Sequence, residues 1–91
     1  MTYTVAHDVA QSRFHATVEG HLCVLDYQLH DQVMHIEHTI VPAAAGGRGV
    51  AAELTRVALE TARQEGWKVH PVCSYADAYM RKHPDTADLR V

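Results

Sequence analysis

Cysteine is scarce in this chain. Cys23 and Cys73 are the only two, and they do not form the dense, even framework of a secreted disulfide scaffold. They read as thiols of an intracellular protein. Basic residues are also in short supply, with eight Lys and Arg against eleven Asp and Glu, for a formal net charge of −3. With no cationic excess to displace counterions from a polyphosphate, the composition argues against a nucleic-acid partner. A single pyrophosphate needs only local donors and is not excluded. No apolar run approaches the roughly 18 residues of a membrane span. Met1 is followed by polar residues rather than by a charged and then apolar leader. The expectation is a cytoplasmic protein with no membrane partner. Hydrophobic residues at 47% and charged residues at 21% are ordinary for a folded protein, and 91 residues suffice for one core. One domain over 1–91 is expected.

Glycine is limited to five positions, and three of them fall at Gly46, Gly47 and Gly49. They lie between a strand-like stretch and the longest helical pattern. Such a junction leaves backbone N–H groups without internal partners at the positive end of a helix dipole, a place to hold a phosphate. Alone, Gly47-Arg48-Gly49 is a weak signal, since a glycine turn before a helix most often means only that the backbone needs positive φ. The P-loop pattern is absent because no Gly-Lys-Ser/Thr follows. The dinucleotide fingerprint is absent because a meander precedes the loop.

The elements around the loop follow from periodicity. Tyr3–Ala6 is a short strand candidate, and His7 to Ser12 reads as a loop. Arg13–Val18 alternates apolar and polar residues as a half-buried strand does, and Glu19-Gly20 turns it back. In the next strand, His21–Leu29, Cys23, Leu25, Tyr27 and Leu29 share one face. Val33–Val41 follows, with Met34, Ile36, His38 and Ile40 expected on one face and His35, Glu37, Thr39 and Val41 on the other. Pro42 ends it. Val50 opens a helix with apolar residues every three to four positions, and Gly66 supplies its C-terminal cap. Trp67–Val72 then returns parallel to the strand ending at Val41, by a strand–helix–strand crossover. Ser74 and Asp77 read as a variant capping box for a short helix stopped by Pro84. Residues 1–12 and 85–91 are expected to be loosely ordered ends. The architecture is α/β with a mostly antiparallel sheet.

Four motifs, His38-Thr39-x-Val41-Pro42, Gly47-Arg48-Gly49-Val50-Ala51, Pro71-x-Cys73-Ser74-Tyr75 and Lys82-His83-Pro84, occur in that order. Over residues 13 to 84 the chain resembles the small single-domain branch of the GNAT acetyltransferase superfamily. The resemblance implies a GNAT core and acetyl-CoA as cosubstrate, with an amine of unknown identity as acceptor. It implies pantetheine along the strand ending at Ile40-Val41 and pyrophosphate on the amides of Gly46, Gly47, Arg48, Gly49, Val50 and Ala51. It also puts the last helix beside the cofactor, so that Tyr79, Arg81 or Lys82 can touch it. The superfamily pattern asks for Arg or Gln where Ala44 stands, and small-branch members often carry Arg where this chain has Gly46. The cradle must then work through backbone amides and Arg48.

Cys73 sits at a strand–helix junction, where a dipole favours thiolate. From local sequence alone it reads more readily as a buried structural cysteine. The resemblance implies a reactive role, as acetyl acceptor or as a helper in its transfer. His38 is read as a hydrogen-bonded core histidine or as the base that deprotonates an incoming amine. Glu37 is a second candidate base. Eight histidines invite a metal reading, but His35 and His38 are expected on opposite faces and no ligand spacing appears, so no metal is expected. Cys23, Tyr75 and Met80 read as packing. Two further functions stay open: a non-enzymatic acyl-CoA-binding or sensing module, and an interaction domain whose glycine loop holds nothing.

Overall fold

The computed structural model describes residues 3–91. Five strands form one sheet in chain order: β1 (Ala6–Asp8), β2 (Arg13–Val18), β3 (His21–His30), β4 (Val33–Ile40) and β5 (Lys68–Pro71). The first four are successive antiparallel neighbours, and β5 joins β4 in parallel after helix α1 (Val50–Glu65). Helix α2 (Ser74–Lys82) follows, then a 3-10 turn over Pro84–Leu89. The fold is therefore α/β with a mixed, mostly antiparallel sheet. Among the described residues no helix is long and apolar enough to cross a membrane.

Both β2–β3 and β3–β4 are closed by two-residue turns with positive φ at each position, Glu19-Gly20 and Asp31-Gln32. This is the turn whose twist matches the flanking strands. Asp31-Gln32 achieves it without glycine, and Gln32 is secured by its carbonyl accepting from the Lys68 amide at 2.9 Å.

One sheet face carries the helices. Phe14, Ala16 and Val18, then Cys23, Leu25 and Tyr27, then Met34, Ile36 and Val69 meet the α1 stripe Val50, Leu54, Ala58, Leu59 and Ala62, all buried. Thr55 lies in that stripe because its hydroxyl donates to the Ala51 carbonyl at 2.8 Å, so no polar atom is stranded. Gly66 caps α1 in the left-handed region (φ 77°), and the Trp67 amide reaches back to the Ala62 carbonyl at 2.8 Å. Among the described residues the opposite sheet face carries no helix.

Three expectations are corrected. The first strand is Ala6–Asp8 rather than Tyr3–Ala6. Its pairing with β2 and the turn over Val9–Gln11, capped by the Asp8 carboxylate on the Gln11 amide, give residues 6–11 definite structure. Residues 85–91 are not a loose tail. Thr86 and Leu89 are buried, Arg63 pairs with Asp88 at 2.7 Å, and the Val91 amide donates to the Val69 carbonyl. The third concerns β4: Asp26 pairs with His38 but Tyr27 pairs with Ile36, so Glu37 is an extra residue, a β-bulge. Alternation restarts there. Thr39 turns toward the core side, opposite buried Leu25, while His38 and Ile40 go to the open face.

Leu89 is 5% exposed. Leu89→Ala should cost about 2 to 3 kcal/mol, read from the urea midpoint; an unchanged midpoint would show that the tail does not support the core.

Candidate functional site

The bulge also marks where the parallel strands part. The β4–β5 ladder ends at Ile36–Pro71, and the Cys73 amide donates to the Ile36 carbonyl at 2.9 Å as the chain turns into α2. Beyond that rung Glu37 is the unpaired bulge residue and His38 to Ile40 pair only with β3, leaving a slot beside the far half of β4.

On the helix side of the slot, Cys73 is 9% exposed and its Sγ lies 3.7 Å from Thr39 Oγ1. Both cysteines are free thiols. Burial pushes the Cys23 thiol up in pKa. The expected capping box does not form: Cys73 is the N-cap of α2, Ser74 is already helical, and no side chain caps the end.

On the open side, His38 is exposed and not a core histidine. Its Nε2 lies 2.8 Å from Asp26 Oδ2. Arg13 grips the same carboxylate through Nε at 2.6 Å and Nη2 at 3.2 Å. The Arg13 guanidinium first, then the His38 contact, hold the Asp26 carboxyl below its ordinary range against the opposing effect of burial. His38 is thus oriented by a carboxylate that is itself anchored. His35, by strand register, shares this face with His38, contrary to expectation, because the bulge intervenes.

Farther along the helix side, the glycine loop enters α1. Gly47 and Gly49 adopt φ of 73° and 76°. The Gly46 amide is spent on the Ala43 carbonyl at 3.1 Å, which removes it from the expected cradle. The next intrahelical bond comes from Glu53, whose amide donates to Gly49. Among the described residues, the amides from Gly47 to Ala52 donate to no carbonyl or side chain. Val50 itself is buried in the core, so it can contribute only its backbone.

Between this end of α1 and α2 lies a cleft of about 430 Å³, whose lining includes Arg48, Gly49, Arg56, Tyr75, Tyr79 and Lys82. Lys82 has no carboxylate in ion-pair range among the described residues, whereas Arg48 touches Glu19 at 3.4 Å and Arg56 is held by Glu53 and Glu60. Arg56 holds the Glu53 carboxyl below its ordinary range. Tyr79 stacks on His83 at 3.9 Å, a flat wall shared with an adjoining hollow of about 340 Å³ that runs toward Thr86 and Leu89. Burial raises the Tyr75 and Tyr79 phenols.

The structure thus brings Arg48, Gly49, Tyr79 and Lys82 to one cleft. Gly47 and Ala51 lie in the same loop and first turn. Ile40 is exposed on the open face, and Val41 packs on the core edge. Cys73 and His38 flank the slot from opposite sides. Sequence reading missed Glu53, Arg56 and Tyr75 as cleft residues, the third being read as packing. Their signal is the facing three- and four-residue spacing of 49, 52, 53 and 56 against 75, 78, 79 and 82, legible only once the helices are paired.

A sequence profile of GCN5-related N-acetyltransferases spans residues 13–89. The chain belongs to this family. Protein NATD1 of Mus musculus is 32% identical over 83 residues, covering 88% of this chain and 76% of that protein. Protein NATD1 of Homo sapiens is also 32% identical over 83 residues, covering 88% of this chain and 74% of that protein. The solution structure of a GCN5-like protein from Staphylococcus aureus superposes with a TM-score of 0.77 over 98% of this chain and 88% of that one, at 24% identity, a likeness of fold. Family and fold together suggest acetyltransferase activity. In this GCN5-related chain, the bulge, slot and glycine loop are three consecutive features of one crossover.

Asp26 has a depressed pKa in the folded state, so the stability it contributes is present above its unfolded value near 3.8 and is lost as pH falls through the folded value. The stability gap between wild type and Asp26→Asn should be widest near pH 7 and close below about pH 3.8. Chemical denaturation at several pH values would read it, and a gap that stays constant would contradict the assignment.

Proposed function

We propose that this chain moves an acetyl group from acetyl-CoA to an amine. The observation that carries the reading is the run of unpartnered amides from Gly47 to Ala52 at the mouth of a cleft with a free Lys82. Consecutive N–H groups at a helix N-terminus are suited to a pyrophosphate, and Lys82 and Arg48 add charge where the Ala44 and Gly46 positions offer none. Tyr79 offers a flat apolar wall. Acetyl-CoA supplies the activated acyl group; the chain supplies its grip and a proton acceptor. The free edge of Glu37 to Ile40 offers backbone groups for an extended amide-bearing chain such as pantetheine.

Two routes fit the slot. In one, the Cys73 thiolate attacks the thioester carbonyl, CoA leaves as its thiol, and the amine then displaces the Cys73 sulfur. In the other, the amine attacks the thioester directly while His38, oriented by Asp26, takes its proton. The reading includes a cytoplasmic location, supported by two cysteines that remain free thiols. The acceptor is left as an amine, since the bare open face selects no particular one.

Incubation with acetyl-CoA, following CoA release with and without a panel of amines, tests the reaction. Amine-dependent release is expected; binding without release in every condition would favour a non-enzymatic acyl-CoA module. Intact-mass analysis then separates the routes. An acetyl adduct on Cys73 that Cys73→Ala abolishes, together with turnover, supports the first, and full turnover in Cys73→Ala supports the second.

The loop itself is tested by Gly49→Val. A Cβ there meets nothing within 4 Å, and the strain, of order 1–3 kcal/mol, comes from a φ of 76° that L side chains rarely adopt. Acetyl-CoA affinity should fall at least about tenfold as the loop leaves φ 76°, with the fold retained by circular dichroism. Undiminished binding would reduce the glycine loop to a turn.

A further inference from the structure

Five of the eight histidines, His15, His30, His35, His38 and His70, stand by strand register on the open sheet face. Two of them meet. His35 and His70 are direct partners across the parallel β4–β5 ladder, and their Nδ1 atoms lie 3.1 Å apart in an exposed contact. The His30 ring stands 5.7 Å from that of His35. We propose that His35 and His70 form a two-nitrogen chelating site for a late first-row divalent cation of the Zn²⁺ or Cu²⁺ type.

The spacing suits this chemistry. Two imidazole nitrogens bound to one ion at roughly 2.0–2.1 Å stand about 2.9 Å apart at a right angle and about 3.4 Å apart at the tetrahedral angle. The observed separation falls between those limits. Imidazole nitrogen selects this part of the transition series over Mg²⁺ or Ca²⁺. Among the described residues no three or more His, Cys, Asp or Glu side chains converge to hold a metal, so the chain offers two ligands and water completes the shell. With both rings neutral, one Nδ1–H donates to the other Nδ1. Coordination needs both lone pairs, so the shared proton moves to Nε2 of the donating ring and the pair loses no net proton.

The surroundings do not oppose a cation. Lys68, two residues before His70, directs its ammonium to the Asp88 carbonyl at 2.8 Å. Glu37 lies close by and is tied through Gln28 to His30, at 3.4 and 3.1 Å. The His35–His70 rung is also one residue short of the last rung before the strands part. A bound ion would therefore pin β4 to β5 at the root of the slot.

Isothermal titration of the untagged chain with ZnCl₂, in a buffer that does not chelate metal, tests the site without acetyl-CoA or any assumption of catalysis. One Zn²⁺ per chain is expected, with the ring-nitrogen NMR signals of His35 and His70 shifting together. Losing either ligand makes the second contact bimolecular, so His70→Gln and His35→Gln should each weaken binding about 10²-fold, while His15→Gln should not. His70 is exposed, so His70→Gln serves if His35→Gln impairs folding. No heat up to millimolar ZnCl₂, or binding undiminished in a folded His70→Gln, would overturn the proposal.

Discussion

One inserted residue governs the layout of this molecule. If β4 kept strict alternation from Met34 to Ile40, His38 and Ile40 would face the core with Ile36. Burying an imidazole there would require a partner that the helix side, built from Leu54, Ala58 and Met80, does not offer. The extra residue at Glu37 resolves this conflict by shifting the pairing with β3 by one position. It sends His38 to Asp26 and turns Thr39 toward Cys73. It also falls just past the last rung that β4 shares with β5. Strand polarity, separation from β5 and the surroundings of both candidate catalytic side chains therefore change at the same point.

The consequence for chemistry is a division of labour along β4. Its first half is ordinary sheet, paired on both sides and packed under α1. Its second half is paired on one side only and carries polar groups on both faces. The glycine loop begins at Gly46, four residues after Pro42, with only a 3-10 turn over Ala43–Ala45 between them, and Ala45 is fully buried. That buried alanine ties the chain to the core immediately before the unpartnered amides that follow Gly46.

Most of the layout was legible in the chain because each element carries a strong local signal. Alternation marked β2, β3 and the first half of β4, and paired glycines at 49 and 66 bracketed α1 within a residue. What was not legible depends on tertiary contacts. A bulge leaves no mark in residue type, since Glu37 and His38 are as acceptable on a regular strand as on a shifted one. The tail looked loose because its polar residues, Asp85 and Asp88, outnumber Leu89, yet Arg63 and Lys68 wait for Asp88 on neighbouring elements. The first strand was placed too early because Tyr3 and Val5 carry β-propensity, whereas pairing fell where Phe14 could stack on His7 at 4.1 Å. Of the candidate site, the loop residues and Lys82 were visible as motifs. The opposite sides of Cys73 and His38 were not, because the bulge decides them.

The tail has a consequence for how the chain behaves among its own copies. An open sheet offers two bare edges, and a long bare edge invites pairing with another molecule. Here one edge is β1, only three residues long and followed at once by a turn. The other is β5, where Arg90 bridges Val69 and the Val91 amide occupies its carbonyl. The chain's last residues thus act as a selvedge on the sheet. What is left without a strand partner is the inner edge from His38 to Ile40, beyond the last β4–β5 rung. The fold thus covers its two outer edges and leaves its unpaired backbone on the inner one.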